Sequence, residues 1–457
     1  MQDLTQGSIP KHIVRLALPM AAGMLFQTAY YFVDLYFVAK LGDAAIAGVS
    51  SAGNVQFLVM ALTQILGVGT MVLISHAAGR KDKDDANLVF NQSVSLAVVC
   101  AIVTLVGGYA LAGSYLRTVA ADAASVAAGT SYLYAYLPGL AMQFAMVTMG
   151  SALRGTGISK PTMVVQMGTV VMNAILAPIL IAGWFTGKPL GVAGAGLASS
   201  IAIAVGVLLL LLYFLRLEKF VGFHASLLKA RLSVWIRILK IGLPAGGEFA
   251  LMFVNTAVIY WIIRGFGADA QAGYGVGSRV MQAVFLPAMA LSFAAAPIAG
   301  QNVGAGRPDR ASETFRAAAL MGSVLMLTLT LLCQWRADVL IKLFAHASAA
   351  LTVGSEFLHV ISWNFVATGI IFTCSGMFQA LGNTMPALIS SATRVAVFAL
   401  PAIWLSSRGG FELHQLWLLS VATVLVQMSV SLLLLRRALN KTKRAPVSAG
   451  APVPVGA

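Results

Sequence analysis

The segment Ile201–Leu215 reads IAIAVGVLLLLLYFL and contains no charged residue. It approaches the roughly 20 apolar residues that an α-helix needs to cross a bilayer. Similar blocks recur along the 457-residue chain, which is 59% apolar, only 10% charged and has a mean hydropathy of +0.86. The blocks are continuous, whereas the strands of a membrane barrel alternate apolar and polar residues. The sequence therefore predicts an all-α integral membrane protein.

Turn and charge signals divide the chain into twelve predicted transmembrane helices. They lie at residues 12–39, 46–75, 88–111, 124–150, 162–184, 191–216, 236–265, 270–300, 312–334, 350–377, 385–406 and 412–436.

The net charge of +15 could indicate a nucleic-acid partner, but its distribution argues for a membrane topology instead. Lys and Arg fall in short groups between the apolar blocks, such as Arg80–Lys83 and Arg436–Arg444. If the N-terminus is cytoplasmic, 21 of them lie in inside segments and seven in outside loops. By the positive-inside rule we expect a multi-pass protein of the plasma (inner) membrane with both termini in the cytoplasm.

The two halves of the chain repeat each other at a shift of 225 residues. At that shift Leu18-Pro19 meets Leu243-Pro244, and Gly157-x-x-x-Pro161 meets Gly382-x-x-x-Pro386. Because each copy holds six spans, the copies share one orientation, as in the parallel repeats of transporters. We therefore predict an N-terminal six-helix bundle at 1–216, a cytoplasmic linker at 217–234, a C-terminal bundle at 235–436 and a disordered cytoplasmic tail at 437–457. The basic linker could lie on the lipid interface or simply connect the halves.

Several motifs of the repeat resemble the multidrug and toxic compound extrusion family of transporters, the MATE family. They are Val33-Asp34-x-x-Phe37-Val38-x-x-Leu41-Gly42-Asp43-x-Ala45-x-Ala47, Ser75-x-x-x-Gly79, Gly300-Gln301-Asn302, Leu153-Arg154-Gly155-x-Gly157, Phe378–Asn383 and Gly191–Ala195.

The resemblance implies two six-helix bundles around a central cleft, which opens to each side of the membrane in turn. It implies a monomeric antiporter, not an enzyme, that exports small organic, often cationic compounds or amphiphiles against protons or sodium, with membrane lipid as its surroundings. Protons are preferred because acidic residues are sparse, and no bound cofactor or metal is expected. The resemblance also places the family's first-helix aspartate at Asp34.

Asp34 is the strongest candidate for ion coupling, because a carboxylate at membrane depth costs at least roughly 2.5–3.5 kcal/mol. With Gln27, Tyr30 and Tyr31 it forms one polar strip at helical spacing, which should face the protein interior. The alternative is a buried acid that fixed hydrogen bonds satisfy.

Asn173 is a second candidate, since one branch of the family carries an Asn followed four residues later by Asp-Pro. Here the second position is Ala177, before Pro178, which weakens any mechanism that needs two carboxylates in this bundle. Asn173 could still donate to Asp34 or coordinate a cation; the alternative is interhelical packing.

The second half offers Glu248, four residues after Pro244, as a substrate or ion contact. The alternative pairs Glu248 with an intramembrane arginine, Arg279 or Arg394. Some family members carry a further acid in span ten, where this chain has Thr368.

Tyr132 and Tyr136 could line the cleft, as could Arg394. Two other functions remain open. A flippase for lipid-linked saccharides would need several cations in the cleft, and a membrane enzyme would need a paired His/Asp or Ser/His set.

Overall fold

The computed structural model describes residues 1–119, 122–185, 187–342, 348–408 and 410–444, without the side chains of 29–35 and 348–350. Within these ranges the chain is helical and contains no strand. Its α-helices are α1 (Ile9–Ala39), α2 (Asp43–Gly79), α3 (Lys83–Val119), α4 (Ala123–Gly155), α5 (Lys160–Ile181), α6 (Gly191–Arg216), α7 (Leu232–Ile263), α8 (Ala268–Gly304), α9 (Pro308–Lys342), α10 (Ser348–Ile361), α11 (Phe365–Ala380), α12 (Met385–Ser406) and α13 (Leu413–Arg444).

The predicted all-α membrane fold is confirmed, and the tenth predicted span is interrupted. It consists of α10, a 3-10 turn at Ser362–Asn364 and α11. In the described part of the chain, ten helical stretches are long and apolar enough to cross a membrane, with α10 and α11 counted from Leu351 as one.

The interruption of span ten is satisfied by side chains of α9. The amide of Gln334 donates to the carbonyl of His359 at 2.6 Å and to the Ser362 hydroxyl at 2.7 Å. The Thr330 hydroxyl donates to the Ser362 carbonyl at 2.9 Å. These bonds supply partners for polar groups where the helix is interrupted, as an unpaired backbone group within a membrane would be costly.

Pro138 lies inside the continuous helix α4 and removes one of its backbone hydrogen bonds. Because proline has no N–H, the carbonyl of Tyr134 loses its helical donor, and the Tyr109 hydroxyl of α3 donates to it at 3.0 Å. One residue on, the Ser200 hydroxyl of α6 accepts from the Gly139 amide at 3.1 Å and donates to the Ala135 carbonyl at 2.7 Å. Neighbouring helices therefore satisfy the backbone that this proline frees.

The helices form two compact units. Unit 1 contains Met1–Asp3 and Pro19–Gly242, and unit 2 contains Leu4–Leu18 and Leu243–Ala457. The first part of α1 therefore belongs to unit 2, and the first part of α7 belongs to unit 1. Both transitions occur beside the repeated Leu-Pro pairs.

Glycine permits a close helix contact in unit 1, between α2 and α4. A Cβ added to Gly48 would lie 2.6 Å from the Gly129 nitrogen and the Ser125 carbonyl oxygen. A Cβ added to Gly129 would lie 2.8 Å from the Gly48 carbonyl oxygen. Any side chain at either position would force the two backbones apart.

We expect Gly48→Ala to lower the free energy of unfolding by about 1–3 kcal/mol, because the added methyl overpacks a backbone contact. Gly53→Ala is the matched control, since it lies on the same helix with open space around its Cβ position. Unfolding of both variants in mixed micelles with rising SDS checks this. Equal stability of the two variants would contradict the close-contact interpretation.

The linker between the repeats is hydrogen-bonded to α3 over most of its length. Asn87 bonds to the Phe220 carbonyl at 3.1 Å and the Gly222 amide at 2.8 Å. Gln92 donates to the carbonyls of Leu227 and Lys229 at 2.6 and 2.8 Å and accepts from the Arg231 amide at 2.7 Å. Within unit 1 the linker is therefore an ordered part of the fold.

We expect Gln92→Leu to raise the rate of trypsin cleavage after Lys229 or Arg231 roughly tenfold, because three hydrogen bonds that hold the linker are lost. The control is Gln64→Leu on α2, since Gln64 has no bond to the linker among the described contacts. Cleavage would appear on a gel as two fragments of about half the chain. An unchanged rate would show that the α3 bonds do not limit opening.

Unit 2 has an aromatic core that joins four helices. The Tyr274 ring of α8 stacks on Trp417 of α13 at 5.8 Å and meets Phe357 of α10 edge-on at 5.2 Å. Tyr260 of α7 meets Tyr274 edge-on at 4.9 Å. The segment before α1 is bound to this unit as well, since Gln301 accepts from the Leu4 amide at 3.0 Å and Arg307 donates to the Thr5 carbonyl at 2.8 Å.

Candidate functional site

In unit 1, α1 and α5 meet at a pair of glutamines. The Gln166 amide donates to the Gln27 carbonyl oxygen at 3.4 Å. A Cβ added to Gly23, one turn earlier on α1, would lie 2.7 Å from the Gln166 amide oxygen. Gly23 and Gln27 therefore fix which face of α1 lies against Gln166 of α5.

The two coupling candidates follow these glutamines at the same sequence spacing on α1 and α5. Asp34 is seven residues after Gln27, and Asn173 is seven residues after Gln166. Seven residues are close to two helical turns. The sequence spacing therefore predicts that Asp34 and Asn173 lie at similar levels of α1 and α5, beyond the Gln27–Gln166 contact.

Asn173 is completely buried, and neither its amide nitrogen nor its carbonyl oxygen has a hydrogen-bond partner among the described residues. Leaving buried polar atoms unpaired costs about 1–3 kcal/mol. Ala177, one turn further along α5, is equally buried and adds no polar atom. Asn173 can thus accept a cation through its oxygen or donate to a carboxyl group.

The side chains of Asp34 and Tyr31 lie outside the described residues, although both belong to helix α1. Their predicted roles in coupling and in the cleft therefore stay predictions. Gln27 is exposed and bonds to Gln166.

Tyr132 and Tyr136 of α4 are buried side by side, with ring centroids 5.5 Å apart. Only 5% of Tyr132 and 2% of Tyr136 is exposed, and the backbone of this turn lies against Gly196 of α6. The predicted cleft role of these tyrosines stays a prediction.

In unit 2, Glu248 is part-buried on α7 and accepts a hydrogen bond from the Ser375 hydroxyl of α11 at 2.8 Å. The arginine pairing suggested by the sequence is not seen, since the described ion pairs of this unit include neither Arg279 nor Arg394. Arg279 is exposed, whereas Arg394 is part-buried. Thr368 of α11 is buried.

Two partners of these residues were not predicted from the sequence. Gln166 could have been found, because it precedes Asn173 by seven residues on an otherwise apolar helix. Ser375 gives no comparable signal, since hydroxyl residues recur throughout these helices and only the folded packing brings this one to Glu248.

A twelve-span chain of two six-helix repeats, with isolated polar groups inside each unit, defines a polytopic membrane transporter. The chain belongs to the MatE family, whose sequence model matches residues 19–179 and 244–405, one segment in each repeat.

Curated relatives match over almost the whole chain. The probable multidrug resistance protein YoeA of Bacillus subtilis is 25% identical over 91% of each chain. The multidrug export protein MepA of Staphylococcus aureus is 24% identical over 93% of each chain.

Solved structures share the fold. An outward-facing multidrug resistance MATE family transporter superposes with a TM-score of 0.89 at 23% identity, covering 97% of this chain and 98% of the other. A MATE transporter in complex with MaL6 gives a TM-score of 0.89 at 22% identity, covering 97% and 99%. The predicted family and fold are thereby confirmed.

We expect Asn173→Leu to leave the protein as stable as the wild type or more stable, because an apolar side chain of similar size removes two unpaired buried atoms. Asn91→Leu is the matched control, since Asn91 is also completely buried but bonds to Asn87, Gly222 and His224. The control should lose about 1–3 kcal/mol in the same mixed-micelle unfolding assay. A comparable loss for Asn173→Leu would mean that Asn173 holds the fold together.

Proposed function

We propose that the protein is a secondary active exporter of organic compounds, driven by proton antiport through alternating access, with sodium as the alternative coupling ion. Membership of the MatE family and relatives named as multidrug export proteins support this proposal. The observation that supports the coupling site is the contact between Gln27 of α1 and Gln166 of α5, because Asp34 and Asn173 each follow these glutamines by seven residues.

Asp34 would carry the proton. A carboxyl group within a bilayer is far less costly when neutral than when charged, so it exchanges protons readily when a water path opens. Asn173 would stabilise one of the two protonation states, because its unpaired amide can donate to a carboxylate or accept from a carboxylic acid. Protonation from outside and release inside would then change a contact between α1 and α5.

Sodium coupling is less favoured because the chain supplies few oxygen ligands of negative charge. Ala177 and Thr368 stand where some family members carry acids, and both are uncharged. Glu248 already accepts from Ser375 and could contact a substrate or ion only beside that bond.

The proposed setting is the plasma (inner) membrane, with both termini in the cytoplasm and the chain acting as a monomer. The excess of Lys and Arg in one set of loops supports this orientation.

We expect Asp34→Asn to be produced and inserted normally but to lose pH-driven efflux, because the amide cannot carry the coupled proton. Ethidium efflux from proteoliposomes, under an imposed proton gradient or an imposed sodium gradient, measures this directly. Asp43→Asn is the control, since Asp43 lies at the first turn of α2 outside the apolar span.

Full proton-driven efflux by Asp34→Asn would contradict the coupling role. If the wild type exports ethidium under the sodium gradient alone, the coupling ion is sodium and not the proton.

A further inference from the structure

Arg394 lies on the face of α12 that packs into unit 2. At helical spacing this face carries the buried residues Ala387, Ser391, Phe398 and Ala402. The opposite face carries the exposed residues Ile389, Ala392, Ala396, Leu400 and Ile403. Arg394 therefore projects toward the protein and away from the lipid-facing side, and it stands nine residues into a helix of 22.

No acid neutralises this guanidinium among the described residues, since none of the ion pairs within 4.0 Å includes it. Its Nε is buried and makes no hydrogen bond. An arginine in the middle of a membrane helix costs at least about 2.5–3.5 kcal/mol, and such residues usually pair with an acid or serve a function.

Glu248 is not paired with Arg394, because its carboxylate accepts from Ser375 and none of the described ion pairs of this unit includes either residue. A Cβ added to Gly247, the residue before Glu248, would lie 3.0 Å from Leu388, which fixes the contact between α7 and α12. Arg394 is six residues beyond Leu388, about 9 Å along α12. Asn255, eight residues beyond Gly247, reaches a similar level, and its carbonyl oxygen is also buried without a partner.

An aromatic wall packs against this face of α12. Phe398, one turn beyond Arg394, belongs to the buried cluster that contains Tyr274, Trp417 and Phe357, and the Tyr274 ring is held between Trp417, Phe357 and Tyr260. The wall is apolar apart from the Tyr274 hydroxyl and the Trp417 indole nitrogen, which is buried without a hydrogen-bond partner among the described residues. This is an environment in which a fixed cation attracts an anion strongly.

We propose that Arg394 is a specificity-determining residue, which binds the carboxylate of those exported organic amphiphiles that carry one. The proposal rests on the proposed export function and assigns one residue of this chain to substrate recognition. A guanidinium suits a carboxylate because its planar N–H groups donate two parallel hydrogen bonds to the two oxygens. The Tyr274 hydroxyl would donate a further bond.

Rhodamine 110 and its methyl ester, rhodamine 123, provide a matched pair of probes, because they differ in whether the carboxylate is free. We expect the purified wild-type chain to bind rhodamine 110 more tightly than rhodamine 123 in fluorescence polarisation. Arg394→Gln should lower the affinity for rhodamine 110 about tenfold and change the affinity for rhodamine 123 by no more than about twofold. This is the difference expected for one charge-assisted hydrogen-bonded contact. Arg394→Lys keeps the positive charge but cannot donate two parallel hydrogen bonds to a carboxylate. Its affinity for rhodamine 110 should lie between those of the wild type and Arg394→Gln.

Equal losses for the two dyes in Arg394→Gln would overturn the proposal. If that variant does not fold, the wild-type ratio and Arg394→Lys decide, and tighter wild-type binding of the ester would also overturn it. Equilibrium binding requires no ion gradient. A negative result here therefore leaves the antiport test on Asp34 intact, and the reverse holds as well.

A lipid phosphate could offer the same anionic chemistry, so the binding assay includes a lipid arm. We expect rhodamine 110 binding to be the same in micelles that contain phosphatidylglycerol or phosphatidylcholine. Displacement of the dye by phosphatidylglycerol alone would show that Arg394 holds a lipid headgroup and would overturn the carboxylate assignment.

Discussion

Inside a bilayer there is no water to bond a backbone carbonyl that a helix releases, so the protein itself must supply each donor. Pro138 releases the Tyr134 carbonyl, and Tyr109 bonds to it from the neighbouring helix. The break in span ten releases the carbonyls of His359 and Ser362, and Gln334 and Thr330 of α9 bond to them. Pro138 is therefore tied to α3 and α6, and the break in span ten is tied to α9.

The same constraint gives meaning to the polar groups that remain unpaired. Most buried amides in unit 1 are fully bonded, as Asn87 and Asn91 show at the linker. Asn173 in unit 1 and Arg394 in unit 2 depart from this pattern and are among the buried polar side chains that have an unpaired atom in the described part of the chain. An unpaired amide or guanidinium inside a membrane helix is costly to keep, which makes these two groups candidates for contact with a ligand.

The sequence predicts the spans, the repeat and the family, because these depend on apolar length and on turn residues at a fixed offset. It does not predict the break in span ten, since Ser362–Asn364 has no proline or glycine and depends on Gln334 of another helix. For the site, the sequence shows Asp34 and Asn173 as polar residues of apolar helices, but it does not show that Gln27 of α1 contacts Gln166 of α5. The partner of Glu248 was likewise set by packing, which places Ser375 beside it instead of an arginine.

The division of α1 and α7 between the two units affects how the chain is made. Leu4–Leu18 is synthesised before Pro19–Gly242, yet it belongs to unit 2 together with the chain from Leu243 onward. At about 5–20 residues per second, roughly ten to forty-five seconds separate the synthesis of Leu18 from that of Leu243. During that interval Leu4–Leu18 cannot make the contacts of its own unit, and unit 1 is incomplete until Gly242 is synthesised. Completion of both units therefore depends on chain that lies beyond the first repeat.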